Sequence, residues 1–225
     1  MRNVHRKIGE RGRFALPFVK FTPTPEGETM IGRQAKVLSG NDERRMLALI
    51  RRQRHSTRNR VIFLLSLKAG LRAGEIAALE WLMVLDCRRQ IGSTIELHDR
   101  AAKGGGGRRI PIHPALAKAL RALRTETFRE DNELSGPVVR SERSQAMRPG
   151  SIVNWFAGCY GELGLKGCSS HSGRRTFVTK AARLVHRCGG SLRDVQQLAG
   201  HRSISMTQRY IDGDTAAQRR LINLI

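Results

Sequence analysis

The sequence predicts a mainly helical protein with a small antiparallel β-sheet, an α+β arrangement. The run Val61-Ile62-Phe63-Leu64-Leu65, extended by Leu67, is too continuously apolar for a surface helix and marks one buried on all sides. Residues 91–97 and 108–114 read as short strands on either side of a glycine-rich turn, which makes them a hairpin. Between Gly173 and Tyr210, glycines at 189, 190 and 200 divide an apolar-striped stretch into three short helices.

In chain order, residues 1–36 are basic, carry Pro17, Pro23 and Pro25, and show neither helical nor alternating periodicity, so they read as a flexible arm. Order is expected from Val37. Ser39 or Asn41 caps a helix that opens with Asp42 and Glu43 and turns Met46, Leu47, Leu49 and Ile50 inward. The buried helix begins near Thr57. Gly70 closes it, and the next helix starts within a few residues, which leaves Arg72 in a tight turn at a helix N-terminus. There Arg72 either pairs locally with Glu75 or serves a site.

Residues 81–86 read as a further strand. Lys103 falls at the hairpin tip beside Gly104 to Gly107. This is a flexible turn and not a phosphate loop, because no helix follows it and the lysine precedes the glycines. Pro114 starts an amphipathic helix to Arg124 with Leu116, Leu120 and Leu123 inward. A polar connection to residue 150 holds Pro137-Val138-Val139 as a short strand, and Ser151 caps a helix with Ile152, Val153, Trp155 and Phe156. The tail, 214–225, begins with a cap and sets Ala217, Leu221 and Leu224 or Ile225 on one stripe, apolar enough to dock on its own domain or on a neighbouring subunit.

A chain of 225 residues with 40% hydrophobic content is long enough for one sizeable core or two small domains. Its 41 Lys and Arg against 19 Asp and Glu leave a formal charge of +22, which suits a polyanion and makes nucleic acid the first partner to consider. Arginines 51, 52, 54, 58 and 60 form either a solvated face or a contact with a nucleic-acid backbone. There is no apolar run of about 18 residues for a membrane span and no signal-peptide core, so a cytoplasmic location is expected. Cys87, Cys159, Cys168 and Cys188 lack the spacing of a zinc site or a disulfide framework and are expected reduced, with no metal and no cofactor.

The chemistry concentrates in residues 169–212. His171, Arg174 and Arg175 stand at spacings of three and four near a helix N-terminus, which places them on one face where the helix dipole favours an anion. The two following helices bring back His201 and, nine residues later, Tyr210.

These residues resemble the tyrosine recombinases, or phage integrases. The family's first box is matched by Ala69 to Leu79 with Arg72, its hairpin lysine by Lys103, and its second box by His171 to Phe177 with His171 and Arg174. Its last part is matched by Leu198 to Tyr210 with His201 and Tyr210. The resemblance implies a mostly helical catalytic domain, expected over 37–213, with a small antiparallel sheet on one side. Its site residues would be Arg72, Lys103, His171, Arg174, His201 and Tyr210. Gly173 stands where the family usually has Leu, and Arg175 where it often has a second His, which alters how Arg174 is braced or adds a phosphate contact. The residues ahead of Val37 are too few for the helical DNA-clamping domain that members usually carry there.

What the resemblance implies is site-specific breakage and rejoining of double-stranded DNA through a 3′-phosphotyrosine on Tyr210, without metal or ATP. Lys103 would be the general acid for the 5′ hydroxyl and His171 the proton acceptor from Tyr210. A homotetramer on paired DNA sites, in a bacterial or phage nucleoid, goes with that activity. The alternative from another class is a truncated integrase that occupies DNA without recombining it. A basic nucleic-acid-binding scaffold is a third reading.

Overall fold

A computed structural model describes residues 34–102, 106–128, 135–143 and 146–210, with Arg219, Ile222 and Asn223 beyond them. Lys103, nearly all of the arm 1–36 and most of the tail 214–225 lie outside the described residues.

The architecture grows around one helix. Helix α1 (Gly40–Arg51) starts at Ser39, which forms a reciprocal capping box with Asp42 and so satisfies two of the backbone N–H groups that a helix start leaves unpaired. Helix α2 (Ser56–Lys68) buries every residue from Val61 to Leu67. It is surrounded by α1, α3 (Ala73–Ala77), α4 (Pro114–Thr127) and α6 (Ser172–Leu184), which is why its sequence shows no polar stripe. Helix α5 (Pro149–Glu162) lies against α1 and α3, and Phe156 and Tyr160 stack from it into the same core. A second, smaller core forms where Val178 and Ala182 of α6 meet Val195 and Ala199 of α7 (Leu192–Ala199); the ring of Tyr210, just past α8 (Ile204–Gln208), packs against it.

The sheet is a two-stranded antiparallel hairpin, β1 (Thr94–Leu97) with β2 (Arg108–Pro111), Ile95 facing Ile110. The strand expected at 81–86 is instead a 3₁₀ turn, Trp81–Met83, followed by a single bridge between Leu85 and Ile91. Trp81, Met83 and Val84 are all buried while Leu82 is exposed, a pattern that a strand alternating every second residue cannot supply. Trp81 meets Phe128 edge to face at 5.6 Å, and this packing sets the local backbone. Rather than forming a strand at Pro137-Val138-Val139, Gly136 to Val138 pair with residues 79–81 through backbone hydrogen bonds, and the Val139 carbonyl accepts from the Met147 N–H. Helix α5 starts at Pro149, with Arg148 and not Ser151 at its cap, because proline fits the first helical position without losing a hydrogen bond. Arg58 does not join an exposed basic face: it is half-buried, and its guanidinium donates to Asn59 Oδ1 and to the Arg140 carbonyl.

Helices α2 and α6 approach closely at Gly173, where an added Cβ would lie 2.5 Å from Ser66 Oγ and 3.3 Å from the Leu67 nitrogen. Glycine at this position is thus a packing requirement. Gly173→Ala is expected to cost about 1–3 kcal/mol through overpacking, whereas Gly158→Ala, at an exposed site of α5 with open space around it, should gain about 0.5–1 kcal/mol. Urea unfolding of both variants checks the contrast.

Candidate active site

A buried carboxylate builds the site. Glu75 is in the short helix α3 and is 1% exposed. Its two oxygens accept hydrogen bonds from the Arg72 backbone N–H at 2.8 Å, from Arg72 Nη1 at 2.9 Å, and from both Nη atoms of Arg108 at 3.0 Å. Burial alone would raise the pKa of this carboxyl. The hydrogen bonds and charge of Arg108, then those of Arg72, more than reverse that and hold it below the usual glutamate range. Arg108 reaches Glu75 from β2 and also donates from Nε to the Leu198 carbonyl at 3.0 Å, tying the hairpin to the end of α7.

Arg174, 4% exposed, points inward from α6. Its Nη1 donates to the Gly70 carbonyl at 2.6 Å and its Nη2 to the Ala199 carbonyl at 2.7 Å. These carbonyls lie at the C-terminal ends of α2 and α7, where helix dipoles are negative and accept a guanidinium well. Both helices end on left-handed glycines that must be glycines. An added Cβ would sit 2.5 Å from the Phe177 ring at Gly70, φ 66°, and 2.9 Å from Arg108 Nη1 at Gly200, φ 61°. Burial, then the charge of Arg72, pushes the Arg174 guanidinium down to about 10, with Arg108 adding to the fall and Glu75 and Tyr210 opposing it. It remains a cation at neutral pH.

His201, 6% exposed, follows Gly200 directly. Its Nδ1 shares a 2.9 Å hydrogen bond with the Oγ1 of fully buried Thr207, and its backbone carbonyl accepts from Gln196 Nε2. Burial, then Arg174, Arg72 and Arg108, pushes the imidazole down to about 4, so His201 is neutral at pH 7 and acts as a hydrogen-bonding group rather than a cation. The Tyr210 ring stacks on it, centroids 5.5 Å apart and planes 19° from parallel.

Arg72, Arg174, His201 and Tyr210 are therefore brought together from the α2–α3 turn, α6, the end of α7 and the end of α8. His171 stands exposed at the cap of α6, and the shared face expected for it with Arg174 divides, one side chain outward and the other inward. The position of Lys103 lies outside the described residues. Sequence reasoning overlooked Arg108, the structural weight of Glu75, and Thr207. A signal existed for Arg108: alternation along β2 puts it on the same face as buried Ile110, and an inward arginine requires a buried acid. Chemically, two guanidiniums share one carboxylate and a third, that of Arg174, is held on carbonyls nearby, which leaves a preorganised positive cluster beside an aromatic hydroxyl and a neutral imidazole. An open cavity lined by Gly107, Arg108, Gln196, Gly200, His201 and Arg202 adjoins it.

The sequence matches the phage integrase family over residues 36–216, and the chain belongs to that family. It is 30% identical over 176 residues to the tyrosine recombinase XerA of Thermococcus onnurineus, covering 78% of this chain and 57% of that one. It is 33% identical over 119 residues to the tyrosine recombinase XerC of Rhizobium meliloti, covering 51% and 35%. The chain thus spans between about a third and just over half of the length of these relatives. Among solved structures, XerA recombinase superposes with a TM-score of 0.64 at 23% identity, over 84% of this chain and 64% of that one. A lambda integrase dimer bound to a COC′ core site superposes with a TM-score of 0.59 at 18% identity, over 79% and 48%. The fold is that of these recombinases.

Two outcomes follow from the electrostatics. Glu75→Gln leaves Arg72 and Arg108 short of their counter-charge and should destabilise the protein by about 3–5 kcal/mol in urea unfolding. His201 titrates near 6.5 when unfolded and near 4 when folded, so between those values the unfolded chain holds the extra proton and stability falls as the pH falls. From pH 7 to pH 5 wild type should lose about 2 kcal/mol more than His201→Asn in parallel denaturation series.

Proposed function

We propose that this chain is the catalytic domain of a site-specific DNA recombinase, residues 37–213, which cuts and rejoins strands through a covalent 3′-phosphotyrosine on Tyr210. The observation that carries this reading is the convergence of Arg72, Arg174 and His201 into one charged cluster, with the ring of Tyr210 stacked on His201, four residues that chain order alone scatters. A scissile phosphate would enter the cluster between the guanidiniums, whose planar pairs of N–H groups match two non-bridging oxygens and offset the charge that develops on them. The phenol oxygen attacks phosphorus, the P–O5′ bond breaks, and the 5′ oxygen takes a proton, for which Lys103 is the donor. His171, exposed at the helix cap, receives the phenol proton. The phosphotyrosine keeps the energy of the broken diester, so the reverse attack by a different 5′ hydroxyl needs no ATP, and the arginines supply the charge stabilisation. Neutral His201, oriented by Thr207, donates a hydrogen bond to the same phosphate.

The charge of +22 supports DNA as the substrate, as do related folds described as a lambda integrase dimer on a core site and XerH bound to its difH substrate. No helix among the described residues is long and apolar enough to cross a membrane. Action as a tetramer on paired sites completes the proposal.

Nicked suicide DNA tests it. Wild type should accumulate an SDS-resistant adduct and Tyr210→Phe none, with binding intact; an adduct from the Phe variant would assign the nucleophile elsewhere, and binding without any wild-type adduct would make the protein an occupant of DNA sites. Arg72→Lys and Arg174→Lys should slow adduct formation at saturating DNA by about a hundredfold or more. Arg51→Ala, exposed at the end of α1, should instead weaken binding and reduce its salt slope by about one.

A further inference from the structure

We propose that Arg175 is a positioning residue for Tyr210: its guanidinium lies against the face of the phenol ring and holds that ring stacked on His201. The proposal rests on the reading of Tyr210 as the nucleophile. Tyr210 lies two residues past the end of α8; among the described residues its backbone is pinned by one hydrogen bond, to the Thr207 carbonyl, and its ring direction is set by what the ring touches. Those contacts are the α6–α7 apolar group, the His201 ring and Arg175, whose Cζ lies 5.8 Å from the ring centroid. That distance is within the range of cation–π attraction.

Two further observations separate Arg175 from its neighbour. Arg174 uses both Nη atoms on carbonyls, whereas the buried Nε of Arg175 has no hydrogen-bond partner among the described residues. A buried N–H left unmatched is costly, so the side chain is held there by something else, and the negative face of the phenol supplies it. Position also favours this role. Residues 175, 178 and 182 share one stripe of α6, and Val178 and Ala182 belong, with Val195 and Ala199 of α7, to the small core against which Tyr210 packs. Arginine here is long enough to pass the apolar group and cover the ring, which a shorter imidazole at the same position does differently. The competing role, a direct contact to DNA phosphate, predicts lost affinity with Tyr210 undisturbed.

The chain has two tyrosines, and Tyr160 is buried in the main core, so ring-¹³C-labelled tyrosine gives two sets of signals that Tyr210→Phe assigns. In the free full-length protein, Arg175→Ala should move the Tyr210 signals toward their unstructured values and leave those of Tyr160 in place, and Arg175→Lys should do so partially. With nicked DNA, Arg175→Ala should lower the saturated rate of adduct formation about tenfold while changing Kd less than about twofold, and Arg175→Lys should recover part of the rate. Unmoved Tyr210 signals in both variants, or a weakened Kd with an unchanged saturated rate, would overturn the proposal. Should Arg175→Ala melt early, Arg175→Lys and Arg175→Met carry the same readouts. If wild type forms no adduct at all, the nucleophile reading fails while the NMR arm still decides the Arg175 contact.

Discussion

The structure hangs on the ion group of Glu75 with Arg72 and Arg108. A carboxylate almost fully out of water is a several-kilocalorie liability unless its lone pairs are filled, and here four N–H donors fill them. Those donors come from the α2–α3 turn and from β2, so one side chain fixes how the hairpin meets the helical body. Arg108 extends the tie to α7 through the Leu198 carbonyl, and Arg174 closes the ring by joining the ends of α2 and α7. The fold and the site are in this sense one network: the interactions that hold the elements in register also aim the guanidiniums.

Most elements were legible from periodicity and punctuation. The Ser39 cap, the apolar run Val61 to Leu65 of α2, and the glycine stops at 70, 189 and 200 stand close to where the sequence puts them, because each reports a local cause: a cap, burial on all sides, a left-handed backbone. Misreadings occurred where tertiary packing overrode the local pattern. Trp81 to Val84 looks like a strand and becomes a 3₁₀ turn because burying Trp81, Met83 and Val84 while leaving Leu82 exposed outweighs β-propensity. Arg58 looks like part of a basic face and is committed to the Arg140 carbonyl.

The site was legible as residue types and not as an arrangement. Motif spacing singles out Arg72, Arg174, His201 and Tyr210 as candidates, which the fold brings together, but helical spacing alone grouped His171 with Arg174, and the helix start separates them into exposed and buried. Arg108 escaped because a single arginine at a strand start is unremarked until its acid is found across the fold. The charge state of His201 was also out of reach of the sequence, since it depends on burial of the ring and then on three arginines contributed by other segments.

That neutral imidazole has a thermodynamic consequence. His201 gives up its proton because it is buried and because Arg174, Arg72 and Arg108 repel a further positive charge. Any anion seated among those guanidiniums cancels part of the repulsion and raises the proton affinity of His201. Occupancy of the cluster and protonation of the ring are therefore a single coupled equilibrium, and the coupling is reciprocal: the anion helps the proton to bind by the same factor as the proton helps the anion.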